Sequence, residues 1–471
     1  MTLLTQRGCV LSVRRPHGYG RRMRIAVVGG GISGLVVAYR LRQRLGESAD
    51  IVVLEQRGRV GGVLHTGELA GEPLDLGAEA FVGRRPEVIE LMGELGLDDQ
   101  LVRPAGKRPL VWAGGSAHPL PGRTLMGIPS DAESLRGLVD DETLHRVATE
   151  PERPLRWEPG SDVDVQSLVA ERFGRQVVER SVDPLLGGVY AGISASIGIR
   201  AALPTLAAAL DQGAPSLTDA VRKAMPAPSS APVFGGLRDG YGALLAALTE
   251  ASRARLVTDL PATRLARSPR GWVVDPLGAV DAVVLATPAP VTARLLHYVA
   301  PEAAALADGI ELSSSALVAM ALPKDTALPD NSGILVATGE PLRAKAFTLS
   351  SRKWPHLAAR DVALVRASFG RFGDEKPLTW TDDELVAAAV EDLSAVTGAT
   401  ITPHAAVVQR WPGGLPQYAP GHIERIDAFE AAIAPLEGLA VAGAYLRGVG
   451  VPACVAAGTA AAERVAHSLH H

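Results

Sequence analysis

From residue 25 the chain runs Ile25-Ala26-Val27-Val28 with no polar residue interposed. A strand without alternation is one covered on both faces, as in a parallel sheet. Glycines follow at 29, 30, 31 and 34, and residues 35–45 then have helical character up to Gly46, a residue suited to a left-handed C-terminal cap. The apolar residues 51–54 predict a second strand that closes on Glu55, so the first unit reads as βαβ. Residues 87–222 are mainly helical in pattern, broken by proline-rich stretches at 119–129 and 151–159, and residues 226–232 read as a low-complexity connector. Beyond it the pattern predicts helices at 243–253 and 382–397, and strands at 271–274, 281–286, 316–321, 333–337, 363–369 and 439–442. A terminal helix follows from about residue 451.

At 471 residues the chain is too long for one ordinary core. Its 47% apolar and 21% charged residues describe a globular protein, and a net charge of -4 lacks the signature of a nucleic-acid binder. The two cysteines, Cys9 and Cys454, cannot form a disulfide framework. The eleven histidines show no HxH or HExxH spacing, so no metal is expected. With no apolar run of about 18 residues, no membrane-spanning helix is predicted. Residues 1–22 are expected to be a disordered extension, with Met23 an alternative start. The composition suits a cytoplasmic protein, with peripheral membrane contact left open.

Gly29, Gly31 and Gly34 have the G-x-G-x-x-G spacing between a predicted strand and a predicted helix, the context a dinucleotide-binding turn requires. The first glycine permits the tight turn, the second lets a pyrophosphate approach the backbone, and the third lets helix and strand pack closely. A bare glycine turn would account for the glycines but not for Glu55, which stands where a carboxylate can bind ribose hydroxyls. NAD and FAD share this fingerprint. Two features bear on the choice: Arg59, Gly61 and Gly62 offer a second close approach to an extended diphosphate, and residues 447–452 lead into the last helix. The positive end of that helix suits negative charge on a reduced flavin.

Together with residues 75–79 (Asp-Leu-Gly-Ala-Glu), 183–192 (Asp-Pro-Leu-Leu-Gly-Gly-Val-Tyr-Ala-Gly), 345–354, Trp411, 416–418 and 448–452, these motifs resemble the oxygen-dependent protoporphyrinogen/coproporphyrinogen oxidase family. That family lies within the flavin amine oxidase superfamily, and the resemblance is strongest to its actinobacterial, coproporphyrin III-forming type. It implies a non-covalent FAD enzyme of haem biosynthesis that takes six electrons from a porphyrinogen, consumes three O2 and releases three H2O2. It implies FAD contacts at Gly29, Gly30, Gly31, Ile32, Ser33, Gly34, Glu55, Arg59, Gly62, Gly77, Ala78, Glu79, Ala262, Trp411, Val449, Gly450 and Val451. It also implies a propionate-binding cation at Arg85, with Arg84 as fallback, and a transient hand-off of product to a coproporphyrin ferrochelatase.

No catalytic side chain is expected. A porphyrinogen meso carbon can give hydride to a flavin while pyrrole N–H protons leave by tautomerisation, so catalysis reduces to positioning. A substrate with four carboxylates calls for several cations, for which Arg343, Lys345, Arg352 and Lys353 are candidates besides Arg84 and Arg85. Tyr190 and its glycine-rich surroundings could offer an apolar face to a macrocycle or simply end a helix.

The expected fold is α/β: a Rossmann-like FAD domain (residues 23–88, 228–296 and 430–471), a mainly helical insertion (89–227) and a mixed α/β substrate domain (297–429). Alternatives kept open are protoporphyrinogen IX as substrate, another flavin amine oxidase-like enzyme, and a redox-silent FAD-binding scaffold.

Overall fold

The computed structural model describes residues 22–227 and 232–470. The expected extension lies, Arg22 apart, outside the described residues, as does the middle of the proline-rich connector. A parallel five-stranded sheet carries the order Arg255–Val257, Asp50–Leu54, Arg24–Val28, Ala282–Leu285, Leu439–Val441. Val27 stands between Val53 and Val284. One face of this sheet is buried under the helices Ile32–Leu45 and Val451–His470, and the other packs on an antiparallel meander that contributes Trp272, Val274 and Val280. Cover on both sides is why the first strand shows no alternation. The helix Ile32–Leu45 ends at Gly46 with φ 67°, as its sequence position predicts.

The second sheet has seven strands in the order Ala405–Pro416, Leu312–Pro323, Val362–Phe369, Ala346–Thr348, Gly333–Val336, Leu110–Ala113, Ser116–Pro119. The helix Asp382–Thr397 covers one face through Leu385, Ala389 and Leu393. Thr381 and Glu384 form a capping box at its start, and Gly398 ends it with φ 69°. The other face presents Leu317, Ala319, Ala321 and Leu364 to Leu74, Leu76 and Trp354. The hairpin Leu110–Pro119, drawn from the stretch read as mainly helical, supplies the last two strands at one end of the sheet, with Leu110 beside Ile334 in parallel register and Ser116–Pro119 at the edge. Four residues per strand are too few for a period to be visible in sequence.

The helices between residues 141 and 224 enclose their own core, which includes Phe173, Leu206, Leu210 and Val221 and is joined by Tyr418. A buried ion pair pins it: Arg172 donates to Glu150 at 2.7 Å, and Glu150 also accepts from the Leu217 and Thr218 amides and the Thr218 hydroxyl. Burial alone would raise the Glu150 carboxyl, but these donors hold it below the usual carboxylate range. The helix Asp183–Tyr190 leaves this core through a π-turn at Val178–Val182 and ends at Ala191 in the left-handed conformation, φ 47°. It thus reaches the second sheet, where Phe372 N–H donates to the Ala191 carbonyl at 2.8 Å.

Candidate functional site

A cleft of about 1540 Å³ opens at the carboxyl ends of the first sheet's strands and extends to the second sheet, the position at which open parallel sheets bind ligands. Its floor is the glycine turn. Gly29 has φ 106°, and a Cβ there would stand 2.3 Å from the Ala286 carbonyl oxygen; a Cβ on Gly34 would stand 1.9 Å from that of Gly29. Both positions therefore exclude any side chain. Gly31 pairs with Gly61 across the turn, and a Cβ on Gly62 would come 3.3 Å from the Gly31 Cα. Two Cβ-free backbones thus face each other, a cradle open to an extended diphosphate.

Glu55 is buried and accepts from the Gly30 amide at 2.8 Å and the Arg57 amide at 2.9 Å. Its carboxylate thereby braces the turn and still lines the cleft, where two hydroxyls could share it. Arg59 donates to the carbonyls of Val60, Gly62 and Leu64 at 3.0–3.2 Å, and its guanidinium stands 5.6 Å from the Trp411 ring centre. The Trp411 indole N–H donates to the Leu76 carbonyl at 3.0 Å. Gly77 lies between that ring and Val63, whose carbonyl oxygen would be 2.1 Å from a Gly77 Cβ. Arg366 donates to the Gly77 carbonyl.

Of the residues expected to hold the cofactor, Gly29, Gly31, Ile32, Ser33, Glu55, Gly62, Ala262 and Trp411 line the cleft. Gly30, Gly34, Arg59 and Gly77 shape it from behind through the contacts above. Ala78 is exposed. Glu79 is taken up by Lys353 at 2.6 Å and Arg366 at 2.7 Å. Burial would raise its carboxyl, but those two cations overcome the effect and hold it at about 2. Val449, Gly450 and Val451 do not line the cleft: Val449 packs against the helical core, and Gly450 accepts from the Cys454 amide at the start of the last helix.

Sequence reasoning missed Arg57, Thr287, Pro288, Gly413, Gly414 and Tyr445, all of which line the cleft. The Gly413-Gly414 pair, one proline after Trp411, was the visible signal. Thr287 and Pro288 follow the strand Ala282–Leu285 and carry no motif of their own.

The candidate substrate-binding residues divide by partner. Arg84 and Arg85 are exposed, and Arg85 pairs with Glu87. Arg343 pairs with Asp392 and Glu391, and Lys353 with Glu79. Arg352 reaches Asp330 only at 4.0 Å. Lys345 donates to the Gly370 carbonyl at 2.6 Å, and burial, with Arg371 beside it, pushes its ammonium down to about 7. Tyr190 is buried against Tyr418, with ring centres 5.8 Å apart, and its phenol is pushed up to about 12 by burial. Its carbonyl accepts from Ser313 and Gln417. Among the described residues no group of His, Cys, Asp and Glu side chains is placed to hold a metal ion, and no helix is long and apolar enough to cross a membrane.

The parallel sheet, the glycine turn and the acidic residue at the second strand's end define a dinucleotide-binding protein of the Rossmann class. Within that class the chain belongs to the family of flavin containing amine oxidoreductases, whose family model matches residues 32–466. A coproporphyrinogen III oxidase of Mycobacterium tuberculosis is 53% identical over 447 residues, covering 94% of this chain and 97% of its own. A chloroplastic protoporphyrinogen oxidase of Oryza sativa is 26% identical over 488 residues, covering 94% and 88%. A solved structure from Exiguobacterium, described provisionally as a protoporphyrinogen oxidase, superposes with a TM-score of 0.85 at 28% identity over 96% of this chain and 100% of that one. The family implies a flavin, and the cleft fits one: its Cβ-free cradle, its carboxylate and its apolar wall suit phosphates, ribose and an aromatic ring system respectively.

Proposed function

We propose that the chain oxidises coproporphyrinogen III to coproporphyrin III, with three O2 reduced to three H2O2, as a step of haem biosynthesis. The observation that carries this reading is the 53% identity, over 94% of the chain, to oxidases so named, joined to a cleft that suits a flavin. The finer cofactor reading is non-covalent FAD. Cys454, the sole cysteine among the described residues, is buried in the last helix, and burial pushes its thiol up to about 11. That keeps it protonated and unsuited to a flavin tether.

Residues 29–34 and 62 would hold the pyrophosphate and Glu55 the ribose, while Arg59 and Gly77 set the pose of Trp411 against the ring system. When bound, FAD supplies the hydride acceptor and the route of electrons to O2. The side chains would contribute orientation and exclusion of water rather than proton transfer at the reacting carbon. Arg84, Arg85, Lys345 and Tyr190 remain the proposed substrate contacts. A cytoplasmic location and hand-off of product to a ferrochelatase complete the reading.

The test is aerobic turnover of the purified holoprotein on coproporphyrinogen III and protoporphyrinogen IX in parallel, following porphyrin fluorescence and H2O2. A higher kcat/KM for the tetracarboxylate is expected. A preference for the dicarboxylate would move the enzyme to the later oxidation, and no turnover of either would discard the reading.

A further inference from the structure

Trp411 lines the cleft from a weakly held place in its sheet. Its strand, Ala405–Pro416, is an end strand of the second sheet, so a neighbouring strand supports it on one side only. The register also breaks there: Trp411 stands opposite Ser315, but the next pair is Leu415 with Ser313. Pro412, Gly413 and Gly414 are looped out between the two pairs and line the cleft in turn. Within that bulge the Gly413 amide donates to the Ser314 hydroxyl at 3.0 Å. The regular ladder therefore ends at Trp411.

Side chains take over from it. The Trp411 indole N–H donates to the Leu76 carbonyl at 3.0 Å, and the Leu76 amide donates to the His65 carbonyl at 2.8 Å. The His65 ring then returns to the strand it started from. Its Nδ1 lies 3.0 Å from Oε1 of Gln409, two residues before Trp411 and so on the same face. The circuit is closed, and the two rings meet edge on, with centres 6.4 Å apart and planes at 84°. Its proton can be placed. Gln409 Nε2 donates to the Arg410 carbonyl at 2.8 Å, which leaves Oε1 as acceptor, so the hydrogen sits on His65 Nδ1. Burial outweighs the Gln409 bond and, with Arg59 nearby, holds the imidazole below its ordinary value, so the ring stays neutral.

We infer that His65 is a positioning residue for the flavin: as the Nδ1–H tautomer it closes the circuit that fixes the Trp411 indole, and with it the bulge 412–414, against the ring system. The inference rests on the flavin reading of the cleft and deepens it. One hydrogen bond fixes a point of an indole and leaves it free to swing. A second tie, through the strand that carries it, removes that freedom. Arg59, 5.6 Å from the ring centre, and Gly77 bound the indole from other directions without hydrogen-bonding to it. A hydride donor and its acceptor must meet at a distance and angle that tolerate little error, so a loosened wall slows turnover more than it weakens binding.

The experiment compares wild type, His65→Leu, His65→Asn and His65→Gln holoproteins. An Asn amide nitrogen falls where Nδ1 stands and can donate to Gln409, whereas a Gln amide reaches the Nε2 position and cannot. His65→Leu is expected to keep its flavin, to change that flavin's visible circular dichroism, and to lower kcat on coproporphyrinogen III about tenfold with KM within about twofold. His65→Asn should restore both signals and His65→Gln neither. If the Leu protein does not fold, the Asn and Gln pair decides alone. Wild-type dichroism and kcat in His65→Leu, or Asn and Gln variants that match each other, overturn the assignment. A wild type that binds flavin but turns over no porphyrinogen ends the oxidase reading and leaves the dichroism to decide, while one that binds no flavin removes the flavin reading and this inference with it.

Discussion

Replacing a hydrogen of Gly77 by a methyl group would put carbon 2.1 Å from the Val63 carbonyl oxygen and 3.4 Å from the Trp411 ring. Neither backbone nor indole can yield that much, since Trp411 is fixed through Leu76 and by Arg59 above it. Gly77→Ala is therefore expected to purify with less than half the wild-type flavin per polypeptide, read from absorbance; a full complement would detach Gly77 from the cleft. Lys345 gives the opposite kind of prediction. Its ammonium sits at about 7 in the folded chain against an ordinary 10.5, so between those pH values the unfolded chain binds more protons and stability rises with pH. Lys345→Met should have a higher Tm than wild type at pH 7, with the gap closing toward pH 10. A gap that stays constant would show that the lysine's charge is not what destabilises. At this scale the sequence was legible where the backbone itself is the device, as at Gly29, Gly34 and Gly62. It was not legible at Arg371, whose partners Thr338 and Val336 lie more than thirty residues away.

Among the elements, the helix Asp382–Thr397 was readable to its last residue, because Thr381, Glu384 and Gly398 mark both ends with local hydrogen bonds. The hairpin Leu110–Pro119 was not, because its strands are specified by the sheet edge they meet rather than by their own period. The helical insertion depends on a different kind of contact. Glu150 gathers the Arg172 guanidinium, two amides and a hydroxyl from the start of the helix Leu217–Ala224, all out of water. Removing one partner of a buried pair strands the other, which costs about 3–5 kcal/mol. Glu150→Ala should lower unfolding free energy by about that amount in a urea titration. A loss under about 1 kcal/mol would mean that Arg172 finds water or another acceptor.

For the molecule as a whole, Glu79 joins the loop after the strand Glu72–Asp75 to the second sheet through Lys353 and Arg366. Its carboxyl lies at about 2 when folded and near 4.5 in its ordinary state. The folded chain then binds fewer protons across that window, so stability is lost as pH falls through it. Glu79→Gln should be less stable than wild type at pH 7 and lose less between pH 4.5 and 2; equal losses would place acid sensitivity elsewhere. The division into two sheets was legible because glycine and acid punctuate the first one, while the cleft's far wall at Gly413 and Gly414 needed the second sheet to be folded against it. The order of the parallel sheet has a further consequence, for synthesis. Strands from residues 24, 282 and 439 must lie side by side, and the helix that covers them begins at Val451. A ribosome delivers nearly the whole polypeptide before that face can close, so the nucleotide turn, although among the first elements made, waits on the last for its shelter. Nascent chains halted short of Leu439 should accordingly be captured by chaperones and carry no flavin.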